Sequence, residues 1–331
     1  MKYTNIGPLK VSQVCVGAMS FGQAGTMHDW TLDETATQKV VSHALSLGIN
    51  FFDTANSYSK GTSEEYLGKA LKQVPRDQVV IASKVYFNEG RLSAKAIARE
   101  IEGTLKRLDT DYLDLYIIHR FDYETPIEET MEALDRLVKS GKVRAIGASA
   151  MYGYQFMAMQ QAAIDHNWTR FSAMENHYNL LYREDERELM PICRREDVAL
   201  MPYSPLAAGH LARPTWDGTS LRAKTDRVAM GKYDGMKAAD EEIVRRVHEL
   251  SLKHQVKMSQ IALAWQWAKG IASPIVGATK AAYLDDAAHA LDLVLSDEEI
   301  AYLEEPYIPH PIIGALSENP PQGTVLLNVK K

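Results

Sequence analysis

The sequence predicts an α/β protein built on a single (β/α)8 TIM barrel. Two observations support this prediction: eight short apolar runs are spaced along the chain, and segments with helical periodicity lie between them. A chain of 331 residues is long enough for two domains, but one barrel of eight such units accounts for the same length. We therefore expect one barrel domain over residues 1–316.

The apolar runs have the length of strands and are hydrophobic almost without interruption. Such runs are typical of parallel strands that are buried on both faces, whereas half-exposed strands would alternate. The predicted strands are residues 14–17, 49–54, 79–85, 113–119, 144–149, 171–176, 198–204 and 273–278.

The segments between these runs place apolar residues at helical spacing. The predicted helices are residues 33–47, 63–73, 93–108, 126–140, 153–165 and 183–195, followed by two more at 238–254 and 258–269. Gly48 and Gly141 come directly after two of these segments, where a glycine commonly ends a helix. Strand and helix thus alternate, as a (β/α)8 barrel requires.

Three segments lie outside this alternation. Residues 2–13 contain two short segments around Gly7-Pro8, which fit either a hairpin that closes the bottom of the barrel or an unstructured N-terminus. Residues 205–235, after the seventh predicted strand, are rich in Gly, Pro and charge, and we expect this long loop to cover the site. Residues 317–331 are expected to form a C-terminal tail outside the barrel.

The composition is that of an ordinary globular protein, with 46% hydrophobic and 24% charged residues. Lys and Arg number 37 against 43 Asp and Glu, and no basic stretch stands out, which argues against nucleic acid and membranes as partners. Since no export signal or membrane-span length of apolar residues is evident, we expect a cytoplasmic protein with a small-molecule partner. Cys15 and Cys193 predict buried thiols, without a disulfide framework, and no metal site is expected.

Polar and ionisable residues recur at the ends of the apolar runs. They are Asp53, Lys84, His119, Ser149, Glu175 and Asn176. Burying a charge in an apolar strand is costly unless the charge is paired. Because the carboxyl ends of barrel strands meet at one mouth, we expect these side chains to satisfy one another there and to form a site.

Tyr58 determines which chemistry this site predicts. It lies five residues after Asp53, on the loop that follows the second strand. A phenol is a poor proton donor at neutral pH, but a nearby lysine ammonium lowers its pKa. A carboxylate keeps the lysine charged, and a histidine can donate to a substrate oxygen or relay its proton. The residues Asp53, Tyr58, Lys84 and His119 together predict an acid catalyst for a carbonyl group.

The chain resembles the aldo-keto reductases over essentially its whole length up to about Gly314. The matching motifs are GINFFDTANSY (48–58), ASKV (82–85), DYLDLYIIH (111–119), GKVRAIGAS (141–149) and YSPLAAGHL (203–211). The resemblance implies a catalytic tetrad of Tyr58, Asp53, Lys84 and His119. It also implies NADPH-dependent reduction of aldehydes or ketones to alcohols, with hydride from nicotinamide C4 and Tyr58 as the general acid.

The resemblance also assigns residues to the NADP(H) cofactor. Ser149 would hold the nicotinamide carboxamide, and Tyr203 would stack on the nicotinamide ring. Thr279 and Lys280 would meet the 2′-phosphate. The full implied set is Asp53, Ser149, Glu175, Tyr203, Ser204, Leu206, Gly209, Gly277, Thr279 and Lys280.

Four positions depart from the family pattern. Ala150 stands where the family usually has Asn, and Glu175 where it usually has Gln. A carboxylate can accept from the carboxamide NH2 group but cannot donate to it. Near the adenosine end, Tyr283 replaces an Arg or Gln and Ala287 replaces an Asn. Lysine can neutralise a phosphate as a point charge, so NADPH is still the expected cofactor.

The substrate wall is expected to come from loops that follow strands. Its residues would be Trp30, Tyr86, Phe87, Arg120, Phe121 and His177. Arg120, next to His119, is a candidate anchor for a carboxylate or phosphate, and a simple ion pair with Asp122 is the alternative.

Other functions stay open. A lysine within a barrel strand is also where Schiff-base aldolases place their nucleophile, although Tyr58 argues against that chemistry. The chain most resembles a bacterial subgroup with TPIEET and PHP motifs, related to the channel β-subunit-like reductases, which has been linked to 1-deoxyxylulose 5-phosphate formation. A regulatory protein that binds cofactor with little turnover is a further alternative. The sequence leaves the oligomeric state open, a homo-oligomer included.

Overall fold

Ten strands are present in residues 1–216 and 224–318, the part of the chain that this computed structural model describes. They are β1 (Tyr3–Ile6), β2 (Leu9–Ser12), β3 (Cys15–Gly17), β4 (Phe51–Asp53), β5 (Val80–Val85), β6 (Leu113–Ile118), β7 (Val143–Ser149), β8 (Ala173–Glu175), β9 (Ala199–Leu200) and β10 (Ile275–Gly277). Strands β3 to β9 pair in chain order, and β10 pairs with β3, all in parallel. The predicted (β/α)8 barrel is confirmed.

Main-chain hydrogen bonds join the two ends of this sheet. The amide of Ala272 donates to the carbonyl oxygen of Leu200 at 3.0 Å, and the amide of Ile275 donates to that of Pro202 at 2.9 Å. Strand β9 is shorter than the predicted run 198–204. Beyond its end, the main-chain amide of Tyr203 still donates to the carbonyl oxygen of Asn176, which directly follows β8. The parallel sheet therefore closes on itself.

Strands β1 and β2 form an antiparallel hairpin, the first of the two alternatives for residues 2–13. Its apolar side chains Ile6, Leu9 and Val11 are buried in the same cluster as the residues of the barrel interior. Gly7 makes the turn with a φ of +53°, and a Cβ there would lie 2.6 Å from the Ser172 hydroxyl oxygen. The hairpin thus covers the bottom of the barrel.

Helices surround the sheet. They are α1 (Glu34–Ser46), α2 (Thr62–Leu71), α3 (Ala94–Leu108), α4 (Ile127–Lys139), α5 (Gly153–Asp165), α6 (Leu189–Arg195), α7 (Arg227–Tyr233), α8 (Lys237–His254), α9 (Met258–Ala268), α10 (Ala282–Ala290), α11 (Asp297–Glu304) and α12 (Ala315–Glu318). Asp33 and Ser93 cap α1 and α3, since their side chains accept hydrogen bonds from amides of the first turn. Gly48 and Gly141 follow α1 and α4 with positive φ, as predicted.

The helix predicted over residues 183–195 begins only at Leu189. Before it, Glu184–Glu186 form a short 3-10 segment in which Glu184 and Asp185 are buried. Glu184 accepts a hydrogen bond from the Tyr307 hydroxyl at 2.7 Å, and Asp185 accepts one from the side-chain amide of Asn176 at 3.0 Å. These buried contacts outweigh the helical periodicity of the sequence.

The long loop over residues 205–235 contains regular structure that the sequence analysis missed. Residues Ala207–Ala212 form a 3-10 segment, and α7 follows near the end of the loop. Asp226 caps α7 by accepting a hydrogen bond from the amide of Ala229 at 3.0 Å. Residues 217–223 of this loop, and residues 319–331 of the predicted tail 317–331, lie outside the described residues.

Cys15 and Cys193 are buried and unbridged, as predicted. Across residues 1–216 and 224–318, no three His, Cys, Asp or Glu side chains are grouped so that they could hold a metal ion. In the same part of the chain, no helix combines the length and the apolar character that crossing a membrane requires.

Candidate active site

Alternation along the strands directs polar side chains into the mouth of the barrel. In β4, Phe51 packs in the barrel interior and Phe52 packs against the outer core, so Asp53 faces inward again. In β5, Ala82 faces inward and Lys84 follows it by two residues. The same spacing from inward-facing apolar residues places His119, Ser149 and Glu175 at the ends of β6, β7 and β8.

Lys84 lies at the centre of these residues. Its Nζ donates to Asp53 Oδ2 at 2.5 Å, to the carbonyl oxygen of Thr54 at 2.9 Å and to the hydroxyl oxygen of Tyr58 at 3.3 Å. Oε2 of Glu175 is 3.4 Å from the same nitrogen. The structure therefore brings three of the four predicted tetrad residues into direct contact, and it adds Glu175.

Tyr58 is held by a short 3-10 segment, Tyr58–Gly61, that follows β4. Its amide donates to the carbonyl oxygen of Ala55 at 3.1 Å, which fixes the first turn. The ring of His119 meets the ring of Tyr58 edge-on, with 5.7 Å between centroids. His119 is anchored by its amide, which donates to the carbonyl oxygen of Val85 at 2.9 Å. His119, the remaining residue of the predicted tetrad, thus packs against Tyr58.

The charge on Lys84 is stabilised by its neighbours. Burial alone would lower the pKa of this ammonium, but Asp53, Glu175 and Tyr58 together hold its pKa well above the usual range. Burial raises the pKa of Asp53, and Lys84 opposes that effect. Lys84 is therefore the cation of the site, and Asp53 at 2.5 Å is its counter-ion.

The pKa of Tyr58 is raised, whereas Lys84 alone would lower it. Burial raises the pKa of Tyr58 above its usual value, and Asp53 and Glu175 add to this rise. Lys84 lowers the pKa as predicted, but its effect is smaller than that of burial. Sequence reasoning missed the burial because it depends on the packing of the whole mouth.

His119 is neutral near pH 7. Burial, Lys84 and Arg120 all hold the pKa of its imidazole well below the usual value, in that order of importance. A neutral imidazole donates one N–H and accepts at the other nitrogen. Within the described residues, Nδ1 of His119 has no hydrogen-bond partner.

Ser149 and Ala150 follow one another at the end of β7. The Ser149 hydroxyl donates to the carbonyl oxygen of Glu175 at 2.7 Å and so ties β7 to β8. Ala150 has a φ of +47°, in the left-handed region where Asn and Gly are favoured over Ala. Compared with the Asn that is usual in the family, Ala150 therefore lacks a side-chain amide. It also places an alanine in an unfavourable backbone conformation.

Tyr203 lies flat on His177, with ring centroids 5.2 Å apart and an interplanar angle of 5°. The hydroxyl of Tyr233 in α7 is 2.8 Å from Nε2 of His177, and Nζ of Lys232 is 4.8 Å from the centroid of the Tyr203 ring. Neither Lys232 nor Tyr233 was predicted from the sequence, although Asp226 is a helix-start signal directly before α7. This arrangement offers a fixed aromatic ring with a cation beside it.

The remaining predicted cofactor residues lie on two segments of the rim. Ser204 follows Tyr203 with a φ of +56°. Its carbonyl oxygen accepts a hydrogen bond from the side-chain amide of Asn179 at 2.9 Å. Leu206 and Gly209 continue this segment, and Gly209 has a φ of +104°. Gly277, the last residue of β10, and Lys280 after it are exposed, and Thr279 between them is half-buried. The segment before α10 is thus accessible to a charged ligand.

These residues fit a nicotinamide cofactor. Oδ1 of Asp53 is buried and, within the described residues, has no hydrogen-bond partner, and buried Oε2 of Glu175 has only the long contact with Lys84 at 3.4 Å. Buried polar atoms are normally satisfied, so the mouth has acceptor positions for a polar ring substituent. Tyr203 supplies the ring surface, and Lys232 and Lys280 supply cations suited to phosphate.

The sequence matches the model of the aldo/keto reductase family over residues 13–308. This chain belongs to that family. An aldo/keto reductase is an oxidoreductase that uses a nicotinamide cofactor, in agreement with the fit of the mouth.

Relatives of this aldo/keto reductase cover nearly all of its length. Aldo-keto reductase AMT2 of Alternaria alternata is 41% identical, over 95% of this chain and 91% of its own. Versiconal hemiacetal acetate reductase of Aspergillus parasiticus is 40% identical, over 94% and 98%. A Schizosaccharomyces pombe protein provisionally named an aryl-alcohol dehydrogenase is 42% identical, over 93% and 95%. All three organisms are fungi.

Two of the residues that are predicted to bind substrate in this aldo/keto reductase, Phe87 and Arg120, lie next to His119. Phe87 is 48% exposed and meets the His119 ring edge-on at 5.1 Å between centroids. The guanidinium carbon of Arg120 lies 4.9 Å from the centroid of Phe87. Tyr86 is buried and meets Phe87 edge-on. An accessible aromatic face and a cation thus border the histidine.

The other predicted substrate residues are spread more widely. Trp30 stacks on His28 in the loop after β3, at 4.5 Å between centroids. Phe121 is only 2% exposed and belongs to the apolar core. His177 is buried beneath Tyr203. Phe121 and His177 are therefore buried in this structure, unlike exposed Phe87.

Proposed function

We propose that this protein is an NADPH-dependent reductase that converts aldehydes or ketones to alcohols, with Tyr58 as the general acid. The observation that supports the proposal most directly is the buried cluster in which Lys84 contacts both Asp53 and Tyr58, with the ring of His119 against Tyr58. When bound, NADPH supplies the hydride from C4 of its nicotinamide ring.

Each tetrad residue has a distinct part in moving the proton. The Tyr58 hydroxyl donates its proton to the carbonyl oxygen of the substrate. Lys84, with Nζ 3.3 Å from that hydroxyl, stabilises the phenolate that remains. Asp53 keeps Lys84 charged and in place. Neutral His119 donates an N–H to the same substrate oxygen and stabilises the developing alkoxide.

The cofactor residues are proposed from their positions around the mouth. Ser149 and Glu175 hold the nicotinamide carboxamide, and Tyr203 carries the ring. The phosphates and the adenosine are bound by Ser204, Leu206, Gly209, Gly277, Thr279 and Lys280. Exposed Lys280 is the residue that favours NADPH over NADH.

The proposal is tested by NADPH consumption with aromatic aldehydes, methylglyoxal and phosphorylated sugars. Tyr58→Phe is expected to lower kcat by about 10²–10⁴-fold, the usual contribution of a general acid, and to leave NADPH binding nearly intact. Tyr66→Phe, on α2, is the matched control and should keep wild-type turnover. Turnover of Tyr58→Phe within a few fold of wild type would refute the assigned acid.

The alternatives make different predictions in the same assay. Arg120, at 4.9 Å from Phe87, is the anchor that a phosphosugar enzyme linked to 1-deoxyxylulose 5-phosphate formation would use, and such an enzyme would act without consuming NADPH. A regulatory protein would bind NADPH tightly without turnover. The cytoplasmic location, a homo-oligomer and the bacterial subgroup stay predictions, and the relatives reported above are fungal.

A further inference from the structure

The ammonium group of Lys84 has fewer N–H hydrogens than there are oxygen atoms near it to accept them. An ammonium group donates three hydrogen bonds. One reaches Asp53 Oδ2 at 2.5 Å, and one reaches the carbonyl oxygen of Thr54 at 2.9 Å. The Tyr58 hydroxyl oxygen at 3.3 Å and Glu175 Oε2 at 3.4 Å are left for the third. Tyr58 and Glu175 therefore compete for one hydrogen.

The charges in the cluster favour a proton on one of the two carboxyl groups. Lys84 balances Asp53, so an ionised Glu175 would leave an extra negative charge among side chains that are at most 3% exposed. Two carboxylates in one buried space do not both ionise readily. Burial and then Asp53 raise the pKa of Glu175 to about 8, against the effect of Lys84. Because Asp53 makes the shorter contact with Lys84, the proton belongs on Glu175.

The other titratable groups that face Glu175 are neutral near this pH. They are the Cys15 thiol on β3 and the hydroxyls of Tyr58 and Tyr203, whose pKa values burial raises. His177, two residues further on, is neutral because burial lowers its pKa. None of these groups is therefore expected to change charge near neutral pH, which leaves the carboxyl of Glu175, whose pKa burial and Asp53 raise, as the group of the cluster that does.

We propose that Glu175 is a positioning residue that carries a proton at neutral pH and thereby leaves the third hydrogen of Lys84 to Tyr58. A neutral acid also presents one O–H donor and one carbonyl acceptor, as an amide does, which suits a carboxamide partner. When Glu175 ionises, it takes the Lys84 hydrogen, and its charge disfavours the Tyr58 phenolate. Proton donation by Tyr58 then weakens. The effect on catalysis rests on the proposed function, whereas the protonation of Glu175 does not.

Infrared spectroscopy of the cofactor-free protein tests the proton itself. The carbonyl stretch of a neutral carboxylic acid is distinct from that of a carboxylate. We expect a band that disappears with a midpoint near pH 8 and is absent from Glu175→Gln. Asp185 is another buried carboxyl, with its pKa raised by burial to about 7, so Asp185→Asn is the matched control and should keep the Glu175 band. A wild-type titration without a band of this midpoint, or a band with the same midpoint in Glu175→Gln, would overturn the proposal.

The pH dependence of kcat tests the consequence for Tyr58. Wild-type kcat should fall above about pH 8, approaching tenfold per pH unit as one group loses its proton. Glu175→Gln should show no such fall in the same interval, because glutamine keeps a donor and an acceptor without a charge. The same fall in both proteins would overturn the link to Lys84.

The two experiments separate failure of this inference from failure of the proposed function. A protein that reduces no carbonyl compound would still give the infrared titration, because no cofactor or substrate is present. If Glu175→Gln does not fold, as judged by circular dichroism, the wild-type titration can still overturn the proposal by showing no band with a midpoint near pH 8, and a band of this midpoint kept in Asp185→Asn supports it by excluding Asp185 as the source.

Discussion

Removing Lys84 should expose the cost of leaving Asp53 as an unpaired buried charge. The two side chains are 0% and 3% exposed and lie 2.5 Å apart, so they form a fully buried ion pair. Removing one partner of such a pair costs about 3–5 kcal/mol. Lys84→Met should therefore lower the free energy of unfolding by about that amount, since Met fills a similar volume. The loss should shrink at low pH, where Asp53 takes up a proton.

The matched variant Lys84→Met/Asp53→Asn removes the stranded charge as well. It should recover most of the stability, because a buried pair replaced by neutral side chains is often close to neutral in free energy. The assay is urea unfolding at pH 7, followed by both circular dichroism and tryptophan fluorescence. A loss below about 1 kcal/mol in Lys84→Met, or an equal loss in the double variant, would refute the assignment of a charged buried pair.

Two further predictions concern the rim and the C-terminal segment. Lys280→Ala should weaken NADPH binding about tenfold and leave NADH binding unchanged in a fluorescence titration, with exposed Lys95→Ala as the control; an equal loss for both cofactors would contradict the phosphate contact. His310 lies with Nε2 3.1 Å from Asp240, which raises its pKa against the effect of burial. The stability that this charge provides is fully present below the usual histidine pKa of about 6.5 and is lost as the pH rises through the higher folded value. His310→Gln should therefore destabilise more at about pH 6 than at about pH 9, and equal destabilisation would contradict this sign.

The barrel, and the meeting of Asp53, Lys84 and His119 at its mouth, were predictable because the signals for both are local. Each strand is a continuous apolar run, and a charged residue at the end of such a run stands out. Asp53, Lys84 and His119 end three successive strands, so a parallel barrel brings them together without further information.

The rest of the site depends on contacts between distant segments. Tyr233 and His177 are in contact although they are 56 residues apart in sequence. The helix that carries Tyr233, α7, is too short to show the periodic pattern that predicts a helix. Glu184 gave no sign that it would turn inward to Tyr307 and shorten the predicted helix. The raised pKa of Tyr58 also could not be predicted, because burial of a loop residue is a property of the assembled mouth.

The buried charged groups of the mouth and the residues of its rim belong to different parts of the architecture. Asp53, Lys84 and Glu175 are carried by β4, β5 and β8, whose spacing is fixed by main-chain hydrogen bonds around the closed sheet. Phe87 and Trp30 are carried by loops, which tolerate insertion and exchange. Evolution, or a protein engineer, can therefore change the side chains around the mouth by exchanging the loops that carry Phe87 and Trp30, while the buried ion pair of Lys84 and Asp53 stays with the sheet and Tyr58 stays with the loop after β4.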